Sequence, residues 1–331
     1  MIPIRSSGAA LVDPLSEVLS LLGVQCFLSR RLEAQGSWAL RFPAYRHLKF
    51  GGIIEGTRWV WREGSSSALE LHAGDFYLLT DGAPYCFASD LQATPVDGLA
   101  FMEEHLQSDG VVRFNAGEGP TVGTGGRFTF DDDVSNPLLR SLPPLIHIRG
   151  DAPAARPLRA TLDLLTFETE AAHLGRAAIS SSLCRIVLVN ILRTHLASST
   201  PEAGWLGALA DPQIRTALML MHGYVGRPWK VADLAREVAM SRTTFAERFK
   251  NLVGQAPLEY LTSWRMLIAR NALQSDKTNL ATLAEQVGYE SDTAFSLAFK
   301  RTFGCSPGRY RSMARLRQVS SQPNSVVLET G

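Results

Sequence analysis

The groups able to do chemistry in this chain fall into two sets. Soft metal ligands are present but scattered: Cys26, Cys86, Cys184 and Cys305 form no C-x-x-C pair, and no histidine stands near one at ligand spacing. In a chain of 331 residues they build neither a disulfide framework nor a structural zinc site. Cations form the second set, and they are concentrated. Residues 1–221 hold 18 Lys/Arg against 23 Asp/Glu, a net of −5, whereas residues 222–317 hold 15 against 8, a net of +7. The overall charge of +1 conceals this asymmetry. A basic last third behind an acidic first part predicts contact with a polyanion through the last third. The remaining composition, 45% apolar and 20% charged, is that of a soluble protein long enough for two domains. No uninterrupted apolar run reaches about 18–20 residues, so no membrane contact is expected. The start, Met1-Ile-Pro-Ile-Arg, does not read as a secretory signal. The expectation is a reduced, cytoplasmic setting.

The elements that position those cations are legible from a repeat. VADLAREVAMSRTTFAERFKNLVGQAPLEY (231–260) and LATLAEQVGYESDTAFSLAFKRTFGCSPGRY (280–310) align with one extra residue before Ser291. They agree at apolar, cap and breaker positions, among them Leu234/Leu283, Ser241/Ser291, Phe245/Phe295, Phe249/Phe299 and Gly254/Gly304. Each copy reads as a short helix, a tight turn at Ala239 or Gly288, and a second helix capped by serine. The phenylalanine pairs project inward at i, i+4, and the outer faces are polar. This is the helix-turn-helix pattern, over about 229–254 and 278–304. Between the copies, Leu258 to Gln274 is a helical pattern without Gly or Pro. Its seventeen residues span roughly 25 Å. That lets two units enter adjacent major-groove segments, which recur about every 34 Å.

These motifs (LAREVAMSRTTFAERFK, YLTSWRMLIAR, LAEQVGYESDTAFSLAFKRTFGCSP and the closing Tyr310-Arg311) resemble the DNA-binding domain of AraC/XylS transcription regulators. The resemblance covers about residues 207–315. It implies that the second helix of each unit reads bases, through Arg242, Thr243, Ala246 and Glu247 in the first and Asp292, Thr293, Ser296 and Leu297 in the second. Glu247 and Leu297 depart from the family, whose members often carry arginine there; Glu can accept from cytosine N4 and Leu can touch a thymine methyl. Arg248, Lys250, Lys300 and Arg301 are the expected phosphate partners.

Residues 36–150 have a β rhythm, with short apolar runs such as Thr57-Arg-Trp-Val-Trp-Arg and Asp75-Phe-Tyr-Leu-Leu-Thr separated by Gly/Pro turns. The order Ile54-Glu-Gly, Leu71-His-Ala-Gly-Asp-Phe-Tyr-Leu-Leu, Gly82-Ala-Pro-Tyr resembles the cupin jelly roll that precedes the DNA-binding domain in many such regulators. Flanking stretches at Asp13-Pro-Leu-Ser-Glu-Val-Leu and Asn136-Pro-Leu-Leu-Arg-Ser-Leu-Pro-Pro agree. The expected fold is therefore α+β: an antiparallel β cupin with a helical pair (157–172 and 178–197), then an all-α domain. Its division is 1–200 for effector binding and dimerisation, 201–315 for DNA, and a disordered tail at 316–331. Helix 178–197 is apolar nearly all round, so it must be buried against the roll, the first helix or a second copy. Relatives dimerise through helices here.

Catalytic cupins bind metal through an H-x-H pair and a later histidine. Here His47 lacks a partner two residues away, and Tyr85 occupies the later slot. No metal, no other cofactor and no catalytic residue are expected. A metal-free roll can still enclose a small ligand. Trp59 and Trp61 share a strand face and either line that cavity or fill the core; Tyr45, His47 and Tyr85 are the polar candidates. The expected partners are promoter DNA, RNA polymerase, a small-molecule effector and a second copy of the chain. Two alternatives remain: a redox signal through Cys26 and Cys86, and a cupin enzyme tethered to DNA.

Overall fold

The computed structural model describes residues 13–65, 67–130, 142–170, 173–198, 204–275 and 278–320. It forms two compact units: residues 22–210, and a unit joining everything from Asp211 onward to the segment that carries helix α1 (Pro14–Leu21).

In the first unit the strands are β1 (Gln25–Leu28), β2 (Leu32–Gln35), β3 (Ala39–Phe42), β4 (Leu48–Glu55), β5 (Thr57–Arg62), β6 (Leu69–His72), β7 (Phe76–Leu79), β8 (Tyr85–Ala88), β9 (Val96–Asp97), β10 (Val112–Asn115), β11 (Thr121–Thr129) and β12 (Leu145–Ile148). One sheet has the order β10-β2-β11-β4-β7-β12, with β1 also paired to β11; the other has the order β6-β5-β8-β3-β9. Two pairs, β10–β2 and β3–β9, are parallel, so the roll is not wholly antiparallel as expected. Both added strands lie at sheet edges and are reached by long connections, the geometry parallel pairing requires. Between them lies the short helix α2 (Gly98–Glu104). Leu32, Leu40, Ile53, Val60, Leu71 and Leu79 fill the interior.

Helices α3 (Arg156–Glu170) and α4 (Arg176–Ser198) cover the larger sheet. Leu162 of α3 seats on Gly52, where a Cβ would come within 2.7 Å of it. Packing on β1, β12 and α3 buries Leu183, Val187, Leu188, Ile191 and Leu192 of α4, but leaves Ile179 and Ile186 exposed. The all-round burial expected of this helix is thus only partly met within one chain. By length and composition Arg176–Ala197 could cross a membrane. Packing against the sheet and α3 accounts for its buried apolar residues, Leu183, Val187, Leu188, Ile191 and Leu192, but not for Ile179 and Ile186.

Helix α5 (Trp205–Ala210) packs on α4 and buries Trp205, so the first unit ends after Ala210 rather than at the expected residue 200. Helices α6 (Pro212–Gly223), α7 (Val231–Glu237), α8 (Arg242–Val253), α9 (Pro257–Ser275), α10 (Leu280–Gln286), α11 (Asp292–Phe303) and α12 (Pro307–Ser320) build the second unit. Helix α1, expected with the cupin, instead packs Leu15, Val18 and Leu21 against α6 and α9. Helix α12 runs to Ser320, so the first residues of the tail expected from 316 are helical. Residues 131–141, 199–203 and 321–331 lie outside the described residues.

Candidate nucleic-acid interface and effector site

The two helix-turn-helix units are α7–α8 and α10–α11. Ser241 and Ser291 accept hydrogen bonds from the backbone N–H of Thr244 and Ala294, both at 3.1 Å, and so start the second helices. The turns need a left-handed residue, supplied by Gly288 (φ +79°) and, at greater steric cost, by Ala239 (φ +53°). Phe245 and Phe249 lie 5.6 Å apart and Phe295 and Phe299 5.8 Å apart, all fully buried. Burying that face turns the opposite face outward. Arg242, Thr243 and Glu247 are exposed beside half-buried Ala246; Asp292, Thr293 and Leu297 are exposed beside half-buried Ser296. The eight expected base readers therefore share the outward sides of two helices. Leu297 is 67% exposed, a large apolar side chain with no internal use.

Lys250, Lys300 and Arg301 are exposed. Arg248 differs from expectation. Its guanidinium pairs with the buried carboxylate of Asp211 and donates to Gln213 Oε1 at 3.2 Å. Asp211 also caps α6 through the N–H groups of Gln213 and Ile214, each at 3.0 Å. A guanidinium already neutralised in this way serves the fold before it serves a phosphate.

Helix α9 has 19 residues and spans about 28 Å. Sequence reading missed Arg265 on it. Its Nε donates to Val225 O at 2.9 Å, Nη2 to Arg227 O at 2.8 Å and Nη1 to Gly288 O at 3.4 Å. One side chain thereby ties the entry to the first unit to the turn of the second. The signal was present, since Arg265 interrupts an apolar stretch in YLTSWRMLIAR.

His222 is buried against α9. Its Nε2 lies 2.7 Å from Tyr260 Oη, its ring stacks 3.7 Å from Trp264, and its Nδ1 is 3.8 Å from Glu17 of α1. Burial holds its pKa down to about 3. The unfolded chain therefore takes up a proton near pH 6.5 that the folded chain refuses, so stability present above that pH is lost as pH falls. Between pH 6.5 and 5 the loss should be about 2 kcal/mol. Urea midpoints across this window should show it, and His222→Phe should flatten the slope; an unchanged slope in the variant would assign the effect elsewhere.

In the cupin unit the expected cavity residues separate. On β5 the inward residues are Arg58 and fully buried Val60, so Trp59 and Trp61 lie on the outer face of the sheet, correcting the cavity-or-core reading. There they run alongside Ala88 and Cys86 of β8. Tyr85 and Tyr45 do face the interior, with ring centroids 5.7 Å apart, and His47 lies 5.5 Å from Tyr45. The residue they surround was not singled out: Lys49 Nζ donates to Tyr85 Oη at 2.8 Å and lies 4.8–5.6 Å from the rings of Tyr85, Tyr45 and Phe42. Burial lowers its pKa to about 8 and raises those of both tyrosines. Among the described residues no three His, Cys, Asp or Glu side chains converge at metal-binding distance. His147 and Asp75 pair at 2.9 Å, but Asp75 also takes the N–H of Gly150 at 2.7 Å and of His72 at 3.0 Å, which fixes a turn.

The redox alternative needs a thiol that ionises readily. Cys26 and Cys86 belong to different sheets, and Cys26 neighbours Cys184 of α4, with which it shares a hydrogen bond. That bond and burial raise the Cys26 thiol, and burial raises Cys86, so neither is a ready thiolate. The structure does not support a Cys26–Cys86 redox signal.

A β roll lined by aromatic rings and buried cations, with paired helix-turn-helix units in the same chain, defines a DNA-binding regulator carrying a cupin-type domain. A cupin family model matches residues 13–197 and a helix-turn-helix domain model matches residues 234–313. The chain is 42% identical over 303 residues to an AraC-like transcription regulator of Streptomyces lividans, covering 91% of this chain and 98% of that one. It is 30% identical over 309 residues to the transcriptional regulator AlkR of Acinetobacter baylyi, covering 92% and 100%. The DNA-binding domain of AdpA, solved with a target DNA, is 32% identical over 34% of this chain and 99% of that chain, with a TM-score of 0.32. The chain belongs to the AraC/XylS family of transcription regulators.

Proposed function

We propose that this chain is a cytoplasmic, non-enzymatic regulator in which a small molecule held by the cupin unit governs how two helix-turn-helix units sit on promoter DNA. The observation that carries the reading is the division of each second helix into a buried phenylalanine face and an exposed polar face, within a segment (222–317) of net charge +7. Homodimerisation through residues 178–197 is part of the reading, supported by exposed Ile179 and Ile186 on α4. RNA polymerase is the expected partner once the regulator is placed.

Footprinting upstream of neighbouring genes, with and without candidate effectors, tests the whole reading. On the operator so found, Thr243→Ala and Ser296→Ala should weaken binding at particular base pairs, by about 1–3 kcal/mol each where a base contact is lost. Arg301→Ala should weaken all sequences alike and flatten the log–log salt slope by about one. Uniform loss for all three variants would show that the base-reading face is misassigned.

A further inference from the structure

The two second helices are built alike and surfaced differently. The repeat puts Arg242 and Glu247 of α8 in the places that Asp292 and Leu297 take on α11. The matched phenylalanines, Phe245 and Phe249 against Phe295 and Phe299, are all fully buried, so both helices turn the same side to solvent. On α8 that side carries an exposed guanidinium and an exposed carboxylate, able to donate to and accept from base edges. On α11 residues 292–297 hold no cation, and the matched side is an acid, two hydroxyls and a hydrocarbon: Asp292, Thr293, Ser296 and Leu297. Asp292 serves the helix itself. It follows the Ser291 cap, where a carboxylate meets the positive end of the helix dipole, and its Oδ1 accepts from Thr293 Oγ1 at 3.4 Å.

Leu297 is the middle of that side. Thr293 stands one turn before it and Arg301 one turn after, both exposed, so the apolar side chain lies between a hydroxyl and an expected phosphate partner. A stray leucine in water needs no explanation. This one occupies the place where the other unit carries a charged group, on the side of the helix assigned to the duplex. Helices of this kind enter the major groove, where thymine alone presents a hydrocarbon group at its base edge, the C5 methyl. Leucine has no hydrogen bond to offer guanine, adenine or cytosine there. Withdrawing its side chain from water together with a methyl group is favourable.

We infer that the second helix-turn-helix recognises a thymine by its C5 methyl, which packs against Leu297 in the major groove. This rests on the DNA-binding reading above and names what α11 selects. The hydrogen-bonding part of the readout falls to the first unit, through Arg242 and Glu247. One consequence separates the methyl from the rest of the base. 5-Methylcytosine carries the same group at the same ring position, so a C·G pair at this place gains affinity when its cytosine is methylated.

The experiment is quantitative binding of the full chain to the footprinted operator, with each thymine replaced singly by deoxyuridine. That replacement removes the methyl and keeps every hydrogen-bonding group. At least one thymine should respond, its loss of methyl weakening binding about 4- to 10-fold, the value of burying one or two carbons. At that position a C·G pair should bind more tightly with 5-methylcytosine than with cytosine. Leu297→Ala should bind the thymine and uracil operators equally, while Leu297→Met, still apolar and long enough to reach, should keep the preference for thymine. Thr243→Ala, on the first unit, should leave the thymine-to-uracil ratio at that position as it is in the wild type. Because Leu297 is 67% exposed, both variants at 297 should melt with the wild type. The inference is overturned if no thymine responds, if the response survives Leu297→Ala, or if methylating the cytosine changes nothing. A Leu297→Ala protein that melts early, or that loses affinity for thymine and uracil operators alike, would overturn it too and make Leu297 a structural contact. A footprint whose thymines are all indifferent to the methyl keeps the regulator and removes this inference, whereas a chain that protects no DNA removes both.

Discussion

Leu188→Asp should abolish the cooperative melt of the cupin unit, and Ile186→Asp should leave that melt intact while converting a dimer to a monomer. The two residues are neighbours in sequence but lie on different sides of α4. Leu188 is 2% exposed against the sheet and Ile186 is 46% exposed. Burying a leucine contributes about 1.5–3 kcal/mol, and a carboxylate forced into its place adds a desolvation penalty of similar or larger size. Their sum is comparable to the 5–15 kcal/mol (roughly) that holds a typical domain together. At Ile186 the same carboxylate meets water in the monomer and would meet an apolar partner only in the proposed dimer. Leu164 and Phe167 on α3 are exposed as well, at 53% and 57%, so the helical pair offers more apolar surface than a monomer needs. Sizing and melting recorded on the same samples check both halves. A wild type that stays monomeric at micromolar concentration removes the dimer, and an Ile186→Asp protein that stays dimeric moves the interface elsewhere.

Phe299→Ala should cost about 3–5 kcal/mol and erase one half of the DNA footprint. Phe299 is fully buried and touches Phe303, Tyr310 and Phe295 at centroid distances of 4.6, 5.6 and 5.8 Å. No other side chain in that cluster can collapse into the space of a lost ring without leaving its own partners. The first helix-turn-helix has its own pair, Phe245 and Phe249, with Tyr260 5.8 Å from the latter. Protection should therefore persist over the segment bound by α8 and disappear over that bound by α11. A fall in the denaturant midpoint with both segments still protected would show that the two units are not separable.

The second unit was legible because a repeat displays its own constraints. Serine caps, left-handed turn positions and i, i+4 phenylalanines recur at matched places, and each corresponds to a backbone or core requirement that few residues satisfy. The cupin's strands were legible too, but not which way their side chains point. Trp59 and Trp61 were rightly placed on one face, and period-2 alternation cannot say which face is inside. That depends on the neighbour strand β8, where Tyr85 and Phe87 turn inward and oblige Cys86 and Ala88, beside the tryptophans, to turn outward. Lys49 and Arg58 escaped notice for a related reason. In sequence a basic residue within a strand reads as solvent-facing; opposite Arg58, only Gly123 reveals that a large side chain occupies the interior there. Helix α1 lies within the span of the cupin family model but packs on α6 and α9, some two hundred residues away, a contact beyond any local pattern.

Arg265 has a consequence for the promoter. By joining carbonyls on both sides of α9, it sets the gauge between two reading heads as a caliper is locked by its screw. A locked gauge does not follow a spacer lengthened by a base pair, so an operator with one added between the two segments should bind more weakly. The accommodation has to come from the duplex. Pliable pyrimidine–purine steps in the untouched stretch between the heads lower its cost, and stiff A-tracts raise it. Part of this regulator's sequence preference should therefore be written in bases that no side chain touches.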